Sequence, residues 1–365
     1  MKKFGSLLMS ALLCASLLAG CSSSASVSQS TVPETISTAE GAIETGSEEV
    51  SLEEMTAAKT ETSTEALEES SDDTVVRVGG LKGPTTMGLV KLMDDAKNGT
   101  AANNYEFTMV TPADELTGLV ASGKVDIALL PANVASVLYH KTEGKVSVID
   151  INTLGVLYLV SGDSSISSIE NLSGKTVYLP GKGTTPEYVL RYLISASGLS
   201  DDAVTLEFKS EASEVAAVLA EDSNAIGLLP QPFVTAAIAQ NDSLSVVLDL
   251  TKVWDSLQED GSNSRLVTGV SIVNNEFLAA HKDLVDTFLT EHEASIAYTA
   301  ADPEGAAALI EKAGIVAKAA IAQKALPACN ITYLDGQDMK DALNGYLSVL
   351  LSQNPQSDGG SLPED

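Results

Sequence analysis

Residues 175–198 read KTVYLPGKGTTPEYVLRYLISASG. The short apolar run at 175–179 predicts a strand. Gly181-Lys182-Gly183 predicts a turn, and the apolar spacing from Thr184 onward predicts a helix that Gly198 ends. Strand, glycine loop and helix in that order form the repeating unit of an α/β fold. One hundred residues earlier the chain writes GGLKGPTTMGLVKLM, 79–93. Lys82-Gly83 answers Lys182-Gly183, and Thr85-Thr86 sits one place off Thr184-Thr185.

The echo extends along both halves. VVRVG (75–79), YEFTMV (105–110) and VDIALL (125–130) predict strands, with helices over 85–97 and after Thr111-Pro112, read as N-cap and first helical residue. KTVYL (175–179), VTLEF (204–208) and AIGLL (225–229) repeat the order, with helices between them. Each third strand stops at a proline, Pro131 or Pro230, at nearly the same distance from its Lys-Gly pair. Two doubly wound α/β lobes of one design explain this spacing. The apolar runs TLGVLYLVSG (153–162) and RLVTGVSIVN (265–274) are expected to cross between the lobes, bending near 155–162 and 265–272. Helices follow from Asn275, including one run over 276–301. The expected division is lobe 1 at 75–157 plus 268–352, lobe 2 at 158–267, and a frayed tail at 353–365.

Composition bounds the function. The formal charge of −29 argues against nucleic acid and against an anionic lipid surface. Cys14, Cys21 and Cys329 are too few for a cysteine metal cluster. His140, His281 and His292 are scattered, and there is no Gly-x-Ser-x-Gly elbow, no phosphate loop and no His-x-x-x-His pair. The sequence therefore gives no reason to expect an enzyme, a cofactor or a bound metal.

Lys2 and Lys3 precede a short apolar run that ends in small residues, as in a secretory signal peptide. Leu18-Ala19-Gly20-Cys21 is similar to the lipobox of bacterial lipoprotein precursors. The resemblance implies removal of residues 1–20, attachment of lipid such as palmitate at Cys21, and a place on the outer face of the cell membrane. Residues 21–74, rich in Ser, Thr and Glu, are expected to be a disordered tether spanning on the order of 40 Å.

LVASGKVDIALLPANVAS, IENLSGKTVYLPGKGTTPEYVLRYLISASGL and AIGLLPQPFVTAAI occur in an order that resembles the substrate-binding proteins of bacterial ABC importers. The group in question takes nitrate, sulfonates, taurine and thiamine-pyrimidine precursors. That resemblance implies a type II periplasmic-binding-protein-like fold, two lobes that close on a small solute, C-terminal helices, a monomer, and permease and ATPase partners. Gln231 stands where the family often has an acidic residue.

In an open α/β sheet, ligands bind beyond the carboxyl ends of the strands. There, glycines allow close approach and helix N-termini attract negative or polar groups. The candidate ligand-binding residues are Gly80, Lys82, Thr85, Thr86, Pro131, Asn133, Gly183, Thr184, Thr185 and Gln231. The Thr111–Asp114 loop can join them, and Tyr139, Tyr158, Tyr188 and Trp254 could stack on a planar group. Threonines and lysines lean towards an anionic or zwitterionic organic solute. A neutral vitamin or pyrimidine precursor, or a ligand-sensing lipoprotein acting with a membrane sensor, are the alternatives.

Overall fold

A computed structural model describes residues 74–258 and 264–364. The expected signal peptide, Cys21 and all of the tether except Thr74 lie outside the described residues.

The first repeat opens with β1 (Val75–Leu81), α1 (Pro84–Met87), α2 (Val90–Lys97), β2 (Asn104–Val110), α3 (Ala113–Ala121), β3 (Ile127–Pro131), α4 (Ala132–Lys141) and β4 (Val146–Leu154). The second runs through β5 (Leu157–Ser161), β6 (Thr176–Leu179), α5 (Thr185–Ala196), β7 (Thr205–Phe208), α6 (Ala212–Glu221), β8 (Ile226–Pro230), α7 (Phe233–Gln240), β9 (Ser245–Asp249) and α8 (Leu250–Ser256). The chain then returns with β10 (Val267–Asn274), α9 (Asn275–Ala280), α10 (Lys282–Ala301), α11 (Pro303–Lys312), α12 (Ala319–Ala325), β11 (Ile331–Leu334) and α13 (Gly336–Gln353). The sheet orders are β11-β4-β10-β3-β1-β2 and β7-β6-β8-β5-β9.

The repeat is visible in the pairing. β1 lies between β2 and β3, parallel to both, with Val78 opposite Ile127. β6 lies in the same way between β7 and β8, with Val177 opposite Ile226. Helices on both faces bury these central strands, which explains their unbroken apolar runs: Ile127, Ala128 and Leu129 are fully buried, as are Leu228 and Leu229.

The structure narrows the outward crossing and corrects the return one. β4 ends in the first sheet and β5 begins in the second, so the outward crossing is only Gly155-Val156. The Asn330 amide donates to the Gly155 carbonyl, and Gln231 N–H donates to the Val156 carbonyl at 3.0 Å. β10 belongs wholly to the first sheet, antiparallel to β3 and β4, so the described part of the return crossing is Ser264–Leu266. An apolar run buried on both faces looks the same whether it stays in a sheet or leaves it, and only the pairing tells them apart.

Two expected helices are also divided. In the first, the Ser295 hydroxyl accepts from Leu92 N–H at 3.1 Å and donates to the Gly88 carbonyl at 2.6 Å. A side chain from α10 thus replaces a backbone bond and separates α1 from α2. In the second, His281 leaves helical backbone, at φ −137° and ψ 49°, between α9 and α10. α3 starts one residue later than its Thr111-Pro112 signal, with Pro112 as the cap. The tail expected to fray instead forms a 3₁₀ turn at Pro355–Asp358, with Ser357 and Asp358 fully buried.

The two sheets share one apolar core. α13 packs on β4 and β10 of the first sheet and on α5 of the second. Its Tyr346 meets Trp254 at 5.5 Å between ring centroids, and Trp254 meets Tyr192 at 4.8 Å. Trp254 is therefore core, not a stacking surface for a ligand.

Candidate functional site

A cleft of about 780 Å³ lies between the carboxyl ends of the two sets of parallel strands. Loops reach it from both sides because the strand-to-helix turns of a parallel sheet all emerge at one edge. Gly181 and Gly183 have φ of +73° and +75°, the left-handed region that glycine adopts without penalty. The Thr184 hydroxyl donates to the Gly181 carbonyl at 2.7 Å and closes this loop.

The expected residues divide. Lys82, Thr85, Pro131, Gly183, Thr184 and Thr185 line the cleft. Gly80, Thr86, Asn133 and Gln231 do not. Gly80 is packed so that a Cβ would fall 2.6 Å from Thr86 Oγ1, and that hydroxyl donates to the Leu81 carbonyl at 2.6 Å. The Gln231 carbonyl oxygen accepts from the Thr235 hydroxyl at 2.9 Å and from its N–H at 3.3 Å, so it caps its own helix. Asn133 is buried: its amide donates to the carbonyls of Gly183 and Ser357, each at 3.2 Å, and its oxygen accepts from Thr185 at 3.4 Å. Asn133 ties the two lobes together beneath the cleft. The amides after the strand ends are thus spent on the protein itself, because a buried polar group needs partners of its own.

The aromatic candidates are not in the cleft lining either. The Tyr158 hydroxyl donates to the Ala328 carbonyl at 3.2 Å, and Tyr139 faces a separate groove against α13. Tyr188 is half-buried, packed against the core. His292 pairs through Nδ1 with Asp150 at 3.0 Å, both fully buried, with Ser271 donating to the other carboxylate oxygen at 2.9 Å. This network reaches Thr153 through Asn152 and braces β4 and β10. Cys329 is buried, and burial pushes its thiol up to about 12, which leaves it inert.

Charge distinguishes the cleft. Lys82 and Lys141 line it from the first repeat, Lys182 and Lys209 from the second, against Asp114 and Glu211. Lys182 Nζ lies 5.6 Å from the Phe208 ring centroid, and Lys209 Nζ lies 5.3 Å from that of Tyr178, so aromatic faces hold both ammonium groups. The charged side chains that line the cleft are thus net positive, in a chain of formal charge −29. Thr85 and Thr268 also line it, and their buried hydroxyls have no hydrogen-bond partner among the described residues.

Sequence reasoning overlooked Lys209, Glu211, Thr268 and Gln356. The first two were legible: 209–211 follow the end of β7 as 111–114 follow the end of β2, so the repeat itself names them. Thr268 and Gln356 arrive from distant parts of the chain with no local signature.

Residues 103–306 match the family model described as NMT1/THI5 like. No curated protein sequence matches the chain. Among solved structures, an ABC transporter protein from Parabacteroides distasonis is similar at 25% identity and TM-score 0.65, over 80% of this chain and 97% of that one. The aliphatic sulphonate binding protein SsuA of Escherichia coli is similar at 15% identity and TM-score 0.60, over 78% and 85%. The alkanesulfonate-binding SsuA of Xanthomonas axonopodis pv. citri, bound to MOPS, is similar at 14% and 0.60, over 80% and 94%. These likenesses agree with the two-sheet topology as a type II periplasmic-binding-protein-like fold. With more than half of its length matched, the chain belongs to the NMT1/THI5-like family.

Proposed function

We propose that the protein is a lipid-anchored, extracytoplasmic solute-binding protein that delivers a small organic anion or zwitterion to an ABC importer. One observation carries the ligand class: four lysines converge on the interlobe cleft of an otherwise strongly acidic chain. The volume, about 780 Å³, suits an organic molecule of many atoms better than an inorganic ion. The P. distasonis and SsuA likenesses support both the transport role and a sulfonate-like ligand. Closure would bring Lys82 and Lys209 from opposite lobes onto one ligand, and bridging both lobes is what favours the closed state.

A thermal-shift screen of ethanesulfonate, taurine, glutarate, nitrate and thymine tests the ligand class. Organic anions or zwitterions are expected to raise the melting temperature. A shift with thymine alone overturns the preference for charge. Lys82→Gln combined with Lys209→Gln is expected to weaken anion binding by about tenfold or more, as for lost charge-assisted hydrogen bonds. The anchor is tested by palmitate labelling in a bacterial host: the wild-type chain takes up label, and Cys21→Ala does not.

A further inference from the structure

The C-terminal segment does more than end the fold. After α13 the chain turns at Asn354, whose side-chain oxygen accepts from Gln356 N–H at 3.0 Å. The carbonyls of Ser357 and Asp358 are then held by two donors one turn apart on α4, the Asn133 amide at 3.2 Å and the Ser136 hydroxyl at 2.7 Å. The same Asn133 amide reaches the Gly183 carbonyl of the second lobe. Gly359, at φ +87°, then turns the chain along His140, whose Nε2 meets the Ser361 carbonyl at 2.8 Å.

This turn is anchored at considerable cost. Ser357 and Asp358 are fully buried, and one carboxylate oxygen of Asp358 has no hydrogen-bond partner among the described residues. Between these fixed points Gln356 is exposed and lines the interlobe cleft, with no hydrogen-bond partner for its side-chain amide among the described residues. An amide offers both donor and acceptor, so it can meet a ligand's hydroxyl, amine or carbonyl beside the lysine-bound end.

We propose that the turn Pro355–Asp358 is a third wall of the ligand site, and that Gln356 is a ligand-contacting, specificity-determining residue seated by Asn133 and Ser136. This rests on the reading of the cleft as the ligand site. It adds to the two strand-edge jaws a contact from neither jaw, carried by the helix that packs on both lobes.

Isothermal titration of the full chain with ethanesulfonate, MOPS, glutarate and thymine tests it, comparing wild type with Gln356→Ala, Gln356→Glu, Gln356→Lys and the remote control Ser352→Ala. Gln356→Ala is expected to weaken the bound probe about 3- to 10-fold, the worth of one neutral hydrogen bond. Its ligand-free melting temperature should be unchanged, because the side chain is exposed and makes no hydrogen bond among the described residues. For an anionic probe, Gln356→Glu should weaken binding more than Gln356→Ala, Gln356→Lys should strengthen it, and Ser352→Ala should match wild type. Equal affinities for wild type, Gln356→Ala and Gln356→Glu overturn the third wall and leave the anion reading standing. If thymine alone binds, the anion reading falls, and a loss in Gln356→Ala with thymine still supports the wall. If no probe binds the wild type, both readings fall together.

Discussion

The two Lys-Gly loops are near copies in sequence and differ in what they leave free. In the second loop Gly181 and Gly183 are left-handed, and Gly183 N–H donates to Glu187 Oε2 at 2.8 Å. Glu187 also pairs with Arg191 at 2.9 Å, so an internal carboxylate already occupies the start of α5. In the first loop Gly83 is extended, at φ 178°, and α1 has no acidic residue in its first turn. The first helix is cut after one turn by Ser295, while α5 continues for 12 residues. Similar loops therefore do not make similar anion sites. The second is satisfied by its own chain, and its contribution to the cleft is carried by Lys182 and the neighbouring Lys209.

The largest expected effect concerns a buried carboxyl on the side of the second loop, Asp358. Burial raises the Asp358 carboxyl from 3.8 to about 7, near Tyr188 of α5 and Tyr346 of α13. Between pH 4 and pH 7 the folded state holds this proton and the unfolded state does not. Stability contributed by that proton is thus fully present below pH 4 and is lost as pH rises through 7. Asp358→Asn should remove this dependence and stabilise the protein at pH 8 by on the order of 3 kcal/mol relative to wild type. Urea unfolding at pH 5 and pH 8 measures it, and parallel slopes for both proteins would refute the assignment.

Glycine substitutions probe the loops directly. Gly181→Ala forces a left-handed alanine and places Cβ 2.5 Å from Thr184 Oγ1, for an expected loss of about 2 kcal/mol. Gly83→Ala meets nothing within 4 Å and should stay within about 0.5 kcal/mol of wild type. Equal losses would mean that the loops are conformationally equivalent after all. Ser295→Ala leaves Gly88 and Leu92 without their bridging hydroxyl, at a cost of about 1–2 kcal/mol. Unchanged denaturant stability would show that the break after α1 does not depend on that hydroxyl.

Glu187→Gln is expected to cost about 1 kcal/mol, through the loss of its bond from Gly183 N–H and its pairing with Arg191. It should also strengthen anion binding a few-fold by removing a negative charge from the second jaw. Weaker binding would show instead that Glu187 acts mainly by holding the loop in shape.

Much of this architecture was legible because it depends on local pattern. The strands that end at Pro131 and Pro230, the Lys-Gly spacing and the helix at 185–196 all follow from periodicity and turn chemistry. Six of the ten expected site residues line the cleft for the same reason: strand ends in a parallel sheet share an edge. Asn133 and Gln231 went elsewhere because a buried amide serves its nearest unpaired neighbours, and those come from Ser357, Gly183 and Thr235. No pattern near residue 133 announces a partner more than two hundred residues away.

The sequence by itself determined a duplicated α/β plan, the edge where its loops gather, and an acidic chain whose lysines recur in those loops. Periodicity, glycine and proline are local signals, and they suffice for elements and their order. Tertiary structure alone decided which loop keeps its polar groups free, that β10 stays within the first sheet, and that Thr268 and Gln356 join the cleft. Those outcomes depend on hydrogen bonds and burial between residues distant in the chain, and such partners exist only once the lobes have packed.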